Sequence, residues 1–181
     1  LRRNVDMTYI VMDNQIYGLT KGQTSPTSKL GFKTKSSPDG NIERPIRPLQ
    51  LAIAAGATFV AAGFSSDVKQ LSSLIAQAIQ HKGFALVNVY SPCVTFNKVN
   101  TYDWYKEVLI NLDEDPSYDP TNRGAAIQKL IETDELVRGL IYKADQPSFQ
   151  ELYPGYRDEP IVHQDWTLPE EDFAQLLAQF H

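Results

Sequence analysis

The chain has 181 residues, 42% of them apolar and 22% charged, with a net charge of −5. That usage is ordinary for a packed domain and excludes a disordered or fibrous chain. A single cysteine, Cys93, excludes an internal disulfide framework and suits a reducing cytoplasm. Residues 1–48 hold eight Lys and Arg against four Asp and Glu, whereas residues 113–181 hold five against fifteen. The front can attract phosphate-bearing ligands and the acidic tail would repel nucleic acid, so no nucleic-acid partner is expected. The apolar run from Leu51 to Phe64 is too short and too broken by glycine to span a bilayer, so no membrane partner is expected either. There is no secretory pattern, and the start at Leu1 without a methionine predicts a piece of a longer protein.

Met7 to Met12 is a short apolar run halted by Asp13-Asn14, which predicts a strand buried on both faces of a parallel sheet. Residues Tyr17 to Pro48 are rich in Gly, Ser, Thr, Pro and Lys and predict a long loop, of a length that is usually functional or disordered. Pro48 to Gly56 reads as a short Ala-rich helix and Ala57 to Ala62 as a strand. Ser65 or Ser66 is expected to cap a helix that runs to Lys82 and stops at Gly83. Val68, Leu71, Leu74, Ile75, Ala78 and Ile79 mark its buried face. Phe84 to Tyr90 is a further strand, halted by Ser91-Pro92.

This alternation of strands and helices predicts an α/β fold with a parallel sheet flanked by helices. Ligands in such sheets sit beyond the carboxyl ends of the strands, where both Asn14 and Cys93 follow. After Cys93 the texture changes. Tyr102 to Leu112 is expected to be an amphipathic helix, Asp113 to Pro120 an acidic linker, Arg123 to Arg138 a helix, and Glu170 to Phe180 a closing helix. The expected division is residues 1–92 and a mixed, mainly helical extension over 93–181.

Two segments stand out chemically. Asp13-Asn14-Gln15-Ile16-Tyr17-Gly18 leaves the first strand, and Asn-x-x-Tyr-Gly taken alone also describes an ordinary turn in which Asn caps a backbone group. Tyr90-Ser91-Pro92-Cys93-Val94-Thr95-Phe96-Asn97 leaves the last strand of the alternating block. A lone cysteine there is most often an inert small hydrophobe. His81, His163 and His181 form no ligand pattern.

The first segment resembles the second half of the thiamine diphosphate motif. Its continuation, Leu19-Thr20-Lys21-Gly22-Gln23-Thr24-Ser25-Pro26-Thr27, is similar to the beta subunits of 2-oxoacid:ferredoxin oxidoreductases. The resemblance implies the C-terminal half of a thiamine diphosphate-binding fold. It implies that Asn14, through its side chain, and Ile16, through its main-chain carbonyl, are Mg²⁺ ligands. Such an ion demands near-octahedral oxygen donors. It further implies that Tyr17, Gly18, Leu19 and Thr20 line the cofactor, and that Lys21 meets the 2-oxoacid carboxylate or coenzyme A. Lys29, Lys33, Lys35, Arg44 and Arg47 carry no such assignment and read as surface charge or contacts to a partner subunit.

In the same family Ser91-Pro92-Cys93-Val94-Thr95 resembles the segment bearing one ligand of a [4Fe–4S] cluster, whose other three cysteines are absent from this chain. The implied activity is coenzyme A-dependent oxidative decarboxylation of pyruvate or 2-oxoglutarate, with electrons passing through the cluster to ferredoxin. The implied partner is an alpha subunit, and this polypeptide by itself is expected to be inactive. The alternatives are a thiamine diphosphate-dependent decarboxylase or synthase without iron–sulfur chemistry, which has no use for Cys93, and a non-catalytic α/β binding module.

Overall fold

The computed structural model describes residues 1–165, 167 and 169–180. The first ninety residues give three strands of a five-stranded sheet: β1 (Met7–Asp13), β2 (Phe59–Phe64) and β3 (Phe84–Tyr90). β1 and β2 both pair in parallel with β3, which lies between them. Two more strands come from the C-terminal region, β4 (Ile110–Asn111) and β5 (Val137–Lys143). β5 pairs antiparallel with β2 and carries β4 on its far side, which gives the order β1-β3-β2-β5-β4. The chain is therefore an α/β protein with a mostly parallel sheet flanked by helices.

The period of two along the central strands decides the layers. Val60, Ala62 and Phe64 of β2 and Leu86 and Tyr90 of β3 face one side of the sheet. They pack there with Leu49 and Ile53 of α1 (Pro48–Ala54) and Ala126 and Leu130 of α4 (Arg123–Glu132). Phe59 and Ala61 of β2 and Ala85, Val87 and Val89 of β3 face the other side, against Leu74 and Ala78 of α2 (Val68–Gln80). Both faces are covered, so β2 and β3 are buried along their whole length and read as continuous apolar runs. Of three further helices, α3 (Tyr102–Val108) adds Tyr105 to the core, while α5 (Phe149–Leu152) and α6 (Glu170–Ala178) hold no buried residue.

Several expectations are corrected. β1 is not buried on both faces: it is an edge strand, with Met7, Tyr9, Ile10 and Met12 exposed. Apolar composition cannot distinguish a covered central strand from one whose neighbour lies on one side only. The cap of α2 is Asp67, whose carboxylate accepts from the Gln70 N–H at 3.1 Å, rather than Ser65 or Ser66. Val68 and Ile79 of that helix are exposed, because the buried stripe is confined to Leu74 and Ala78 with Leu71 and Ile75 partly covered. Residues 123–138 are not one helix. α4 stops at Glu132, Asp134 and Glu135 take positive φ of 55° and 62°, and Val137 begins a strand. Residues 102–112 likewise divide into α3 and the short β4. The loop from Tyr17 to Arg47 has no helix or strand, only an isolated bridge between Tyr17 and Gln23.

Candidate cofactor site at the strand carboxyl ends

The parallel register pairs Asp13 with Tyr90, so the two chemically suggestive segments leave the sheet side by side. The main chain continues this alignment one residue further, where the Ser91 N–H donates to the Asp13 carbonyl at 2.9 Å. From there the two segments lie against each other. A β-carbon built on Gly18 would stand 3.2 Å from Cys93 Sγ and 3.8 Å from Asn14 Nδ2. One built on Gly22 would stand 3.1 Å from the Phe96 ring. Glycine at these two positions is what lets the segments approach. Asn14, Gly18 and Cys93, named from separate motifs, thus come together.

The turn after β1 is set by short side chains bonding to nearby main chain. Asp13 is buried, and its carboxylate accepts from the Gln15 N–H at 3.2 Å and the Thr27 hydroxyl at 2.6 Å. Asn14 Oδ1 accepts from the Ile16 N–H at 3.1 Å, the capping geometry that Asn favours in a turn. Gln15 takes a positive φ of 56° to complete the reversal. The Ile16 side chain is buried, while its carbonyl receives no hydrogen bond among the described residues. Asn14 Oδ1 keeps a second lone pair. This turn can therefore offer two oxygens to a hard divalent cation.

Those donors fit part of a metal shell. Among the described residues no group of three or more His, Cys, Asp or Glu could hold a metal ion by itself. A metal held at this turn would need further oxygens from a bound anion or another segment. Cys93 is a free, partly exposed thiol, one where a [4Fe–4S] cluster takes four.

Beyond the turn, Tyr17, Leu19 and Thr20 are exposed, with Leu19 almost fully so, and the Thr20 hydroxyl donates to Gln23 Oε1 at 2.5 Å. Lys21 takes a φ of 76° and lines a cleft of about 440 Å³ with Gly22, Lys33, Lys35 and Phe96. Lys33 and Lys35 thereby join Lys21 in one basic cleft, a grouping that their separation in the loop conceals. Two other loop cations are engaged elsewhere. Lys29 lies 4.9 Å above the Trp104 ring, and Arg47 pairs with Asp134.

Beneath the turn lies a buried polar layer that no local pattern announced. Asn88, in the middle of β3, is 1% exposed, and neither of its amide atoms has a partner among the described residues. With Asp13, Gln15, Tyr90 and Glu135 it lines a small, partly open cavity of about 30 Å³. The Tyr90 hydroxyl donates to the Glu135 carbonyl, and burial, then the nearby Glu135 carboxylate, hold this phenol well above its ordinary pKa. Burial likewise raises the Glu135 carboxyl, opposed by hydrogen bonds from the Gln50 N–H at 2.9 Å and the Leu49 N–H at 3.4 Å. Buried polar groups without a partner are uncommon, and they concentrate where a protein builds function.

Comparisons with known proteins identify the family. Residues 1–89 match the family described as thiamine pyrophosphate enzyme, C-terminal TPP binding domain. Residues 93–158 match the family described as the C terminal of the pyruvate ferredoxin oxidoreductase beta subunit. The chain is similar to the 2-oxoacid:ferredoxin oxidoreductase subunit beta of Saccharolobus solfataricus, 45% identical over 177 residues, which cover 90% of this chain and 58% of the relative. It is also similar to the 2-oxoglutarate synthase subunit KorB of Archaeoglobus fulgidus, 38% identical over 139 residues, covering 72% of this chain and 51% of the relative. Among solved structures it resembles the 2-oxoglutarate:ferredoxin oxidoreductase from Magnetococcus marinus, determined with 2-oxoglutarate, coenzyme A and succinyl-CoA bound. That likeness has a TM-score of 0.78 at 42% identity and covers 83% of this chain and 51% of that one. The chain thus spans little more than half the length of these relatives. It belongs to the beta-subunit family of the 2-oxoacid:ferredoxin oxidoreductases and corresponds to the C-terminal part of the thiamine diphosphate-binding subunit.

Proposed function

We propose that residues 1–92 supply part of a thiamine diphosphate–Mg²⁺ site and that residues 93–181 form an extension opening with one thiolate ligand of a [4Fe–4S] cluster. In the intact assembly with an alpha subunit, this site serves the coenzyme A-dependent oxidative decarboxylation of a 2-oxoacid such as 2-oxoglutarate or pyruvate. The reaction consumes a 2-oxoacid and coenzyme A, and yields an acyl-coenzyme A, CO₂, a proton and two electrons, which leave singly to ferredoxin. The observation that carries this reading is the contact of Asn14, Gly18 and Cys93 at the carboxyl ends of two adjacent parallel strands. A thiamine enzyme without iron–sulfur chemistry has no reason to seat a thiol there.

Each residue then has a task. The Asn14 amide oxygen and the Ile16 carbonyl hold Mg²⁺ on the diphosphate. Tyr17, Gly18, Leu19 and Thr20 line the cofactor, and the exposed side chains of Tyr17, Leu19 and Thr20 are free to meet it. The Lys21 ammonium meets the substrate carboxylate or an anionic group of coenzyme A, with Lys33 and Lys35 adding positive potential in the same cleft. Cys93 binds iron as the thiolate. Thiamine diphosphate, when bound, supplies the carbon nucleophile and the electron sink for loss of CO₂, and the nearby cluster supplies a one-electron acceptor. The activating carboxylate for the cofactor comes from the alpha subunit, and the assembly works in the reducing cytoplasm.

Two variants of the intact subunit test the assignment. Asn14→Ala is expected to weaken Mg²⁺-dependent binding of thiamine diphosphate by about ten-fold or more, in the range seen when a metal site loses a supporting group. Cys93→Ser is expected to lose or destabilise the cluster with the fold retained, read from iron and sulfide content and circular dichroism. An unchanged Mg²⁺ dependence in the first, or a full complement of iron and sulfide in the second, would refute the corresponding role.

A further inference from the structure

One buried residue is bonded to both candidate turns at once, through its main chain to one and its side chain to the other. Asn97 is 1% exposed. Its main-chain N–H donates to the Cys93 carbonyl at 3.0 Å, which closes the turn that carries the thiol. Its Oδ1 accepts from the N–H groups of Val99 at 3.1 Å and Asn100 at 2.9 Å, and so fixes its own rotamer. Its Nδ2 donates to the Asn14 carbonyl of the other segment at 3.3 Å and to the nearby Asn100 Oδ1 at 3.4 Å. Among the described residues this is the one side-chain hydrogen bond that joins residues 91–100 to residues 13–28. The Gly18–Cys93 and Gly22–Phe96 contacts on either side are packing contacts, with shape but no polar direction.

From this geometry we infer that Asn97 is a positioning residue that couples the metal turn to the cysteine turn. This rests on the function proposed above and adds a means by which its two centres are held in register. The Asn14 carbonyl belongs to the peptide that leads into Gln15, so a donor on that oxygen limits how the peptide can rotate. Its rotation would carry the Asn14 side chain and the Ile16 carbonyl away from a shared metal position. Because the same residue also closes the Cys93 turn, displacement at one centre is transmitted to the other. Coupling of this kind is reciprocal in binding free energy. Filling the diphosphate site therefore firms the cysteine turn, and assembling the cluster firms the metal turn.

Asn97→Asp removes the bridging bond together with the local bond to Asn100 Oδ1, so Asn100→Ala, which loses only the local one, is measured beside it and is expected to match the wild type in both readouts. The aspartate variant keeps the shape and the acceptor for Val99 and Asn100, and replaces the donor facing Asn14 with an oxygen. In the intact alpha–beta complex it is expected to lower the affinity for thiamine diphosphate at fixed Mg²⁺ by about ten-fold, the lower end for loss of a group that orients a metal ligand. It is also expected to shift the electron paramagnetic resonance spectrum of the reduced cluster, with near-native circular dichroism. Wild-type affinity together with a wild-type spectrum would overturn the inference, and so would a change in only one of the two. Should the aspartate variant fail to assemble, Asn97→Ser, whose hydroxyl can close the local turn but cannot reach Asn14, is read by the same pair of measurements. A wild-type complex that binds neither thiamine diphosphate nor a cluster would overturn the proposed function itself. A wild type that binds both, beside an unaltered variant, would overturn the coupling alone.

Discussion

Individual residues at the strand ends show how tightly chemistry and packing are shared in this protein. Gly18 is needed for space, since Cys93 Sγ occupies the room that a larger residue would take. Lys21 holds a left-handed conformation that costs a non-glycine residue of order 1–3 kcal/mol, which the surrounding loop must offset. Glu135 is the clearest case of a polar group with a structural task. Arg47, which precedes α1, makes no side-chain cap, and the Glu135 carboxylate accepts from the Leu49 and Gln50 N–H groups in its place. Burial raises the Glu135 pKa above its ordinary value of 4.5. The folded state then holds this proton more firmly than the unfolded chain. Its contribution is full below the ordinary value and is lost as pH rises through the raised one. Glu135→Gln keeps one acceptor and does not titrate, so the variant should gain on the wild type as pH rises across that window. Denaturant midpoints of the pair at acidic and neutral pH check this, and parallel pH profiles would refute it.

Among the elements, α2 and β5 show how neighbours settle what local signals leave open. Ser65, Ser66 and Asp67 are all capable N-caps by residue type. Asp67 takes the position because its carboxylate reaches the Gln70 N–H and also meets Arg138 of β5 at 2.7 Å. Asp67→Ala is expected to cost about 1–2 kcal/mol, mostly from the lost cap with a smaller share from the half-exposed ion pair. Ser66→Ala is expected to change stability by no more than about 0.5 kcal/mol. Chemical denaturation of the two variants compares them, and equal losses would restore the serine cap. β5 escapes notice because the helical spacing of residues 123–132 runs straight into it. The reversal is made by Asp134 and Glu135, both at positive φ without glycine, so composition gives no stop signal there.

At the scale of the whole molecule, the sheet ends differently on its two sides. One side is closed by β5 and β4 from the C-terminal region, and Val137 and Ile141 of β5 are fully buried in the main core. The other side ends at β1, whose exposed Met7, Tyr9, Ile10 and Met12 flank a row of backbone groups with no partner strand among the described residues. An open apolar edge is a template for pairing with another chain. This polypeptide produced by itself is expected to self-associate through β1, and Tyr9→Lys should lower the associated fraction. Size exclusion with light scattering measures both, and a monodisperse wild-type monomer would refute the expectation. In the intact subunit the same edge is available to the rest of the protein. Among the described residues no helix is long and apolar enough to cross a membrane.

The sequence by itself determined the alternation of strands and helices, the long loop, and the two segments beyond β1 and β3. These are local matters, set by apolar period, turn residues and short motifs. It could also pair those segments with a family, because the run from Asn14 to Thr27 is distinctive. It could not place β1 at an edge, find β5, or bring Lys33 and Lys35 to Lys21. Nor could it reveal that Asn88 is buried without a partner among the described residues or that Asn97 reaches Asn14. Those depend on which strands lie next to each other, and in a parallel sheet neighbours are joined through long crossovers, so residues such as Asn14 and Asn97 meet across 83 positions of chain. Only the tertiary structure decides such contacts, because their energy comes from burial and hydrogen bonding between distant segments and not from any property of the segments alone.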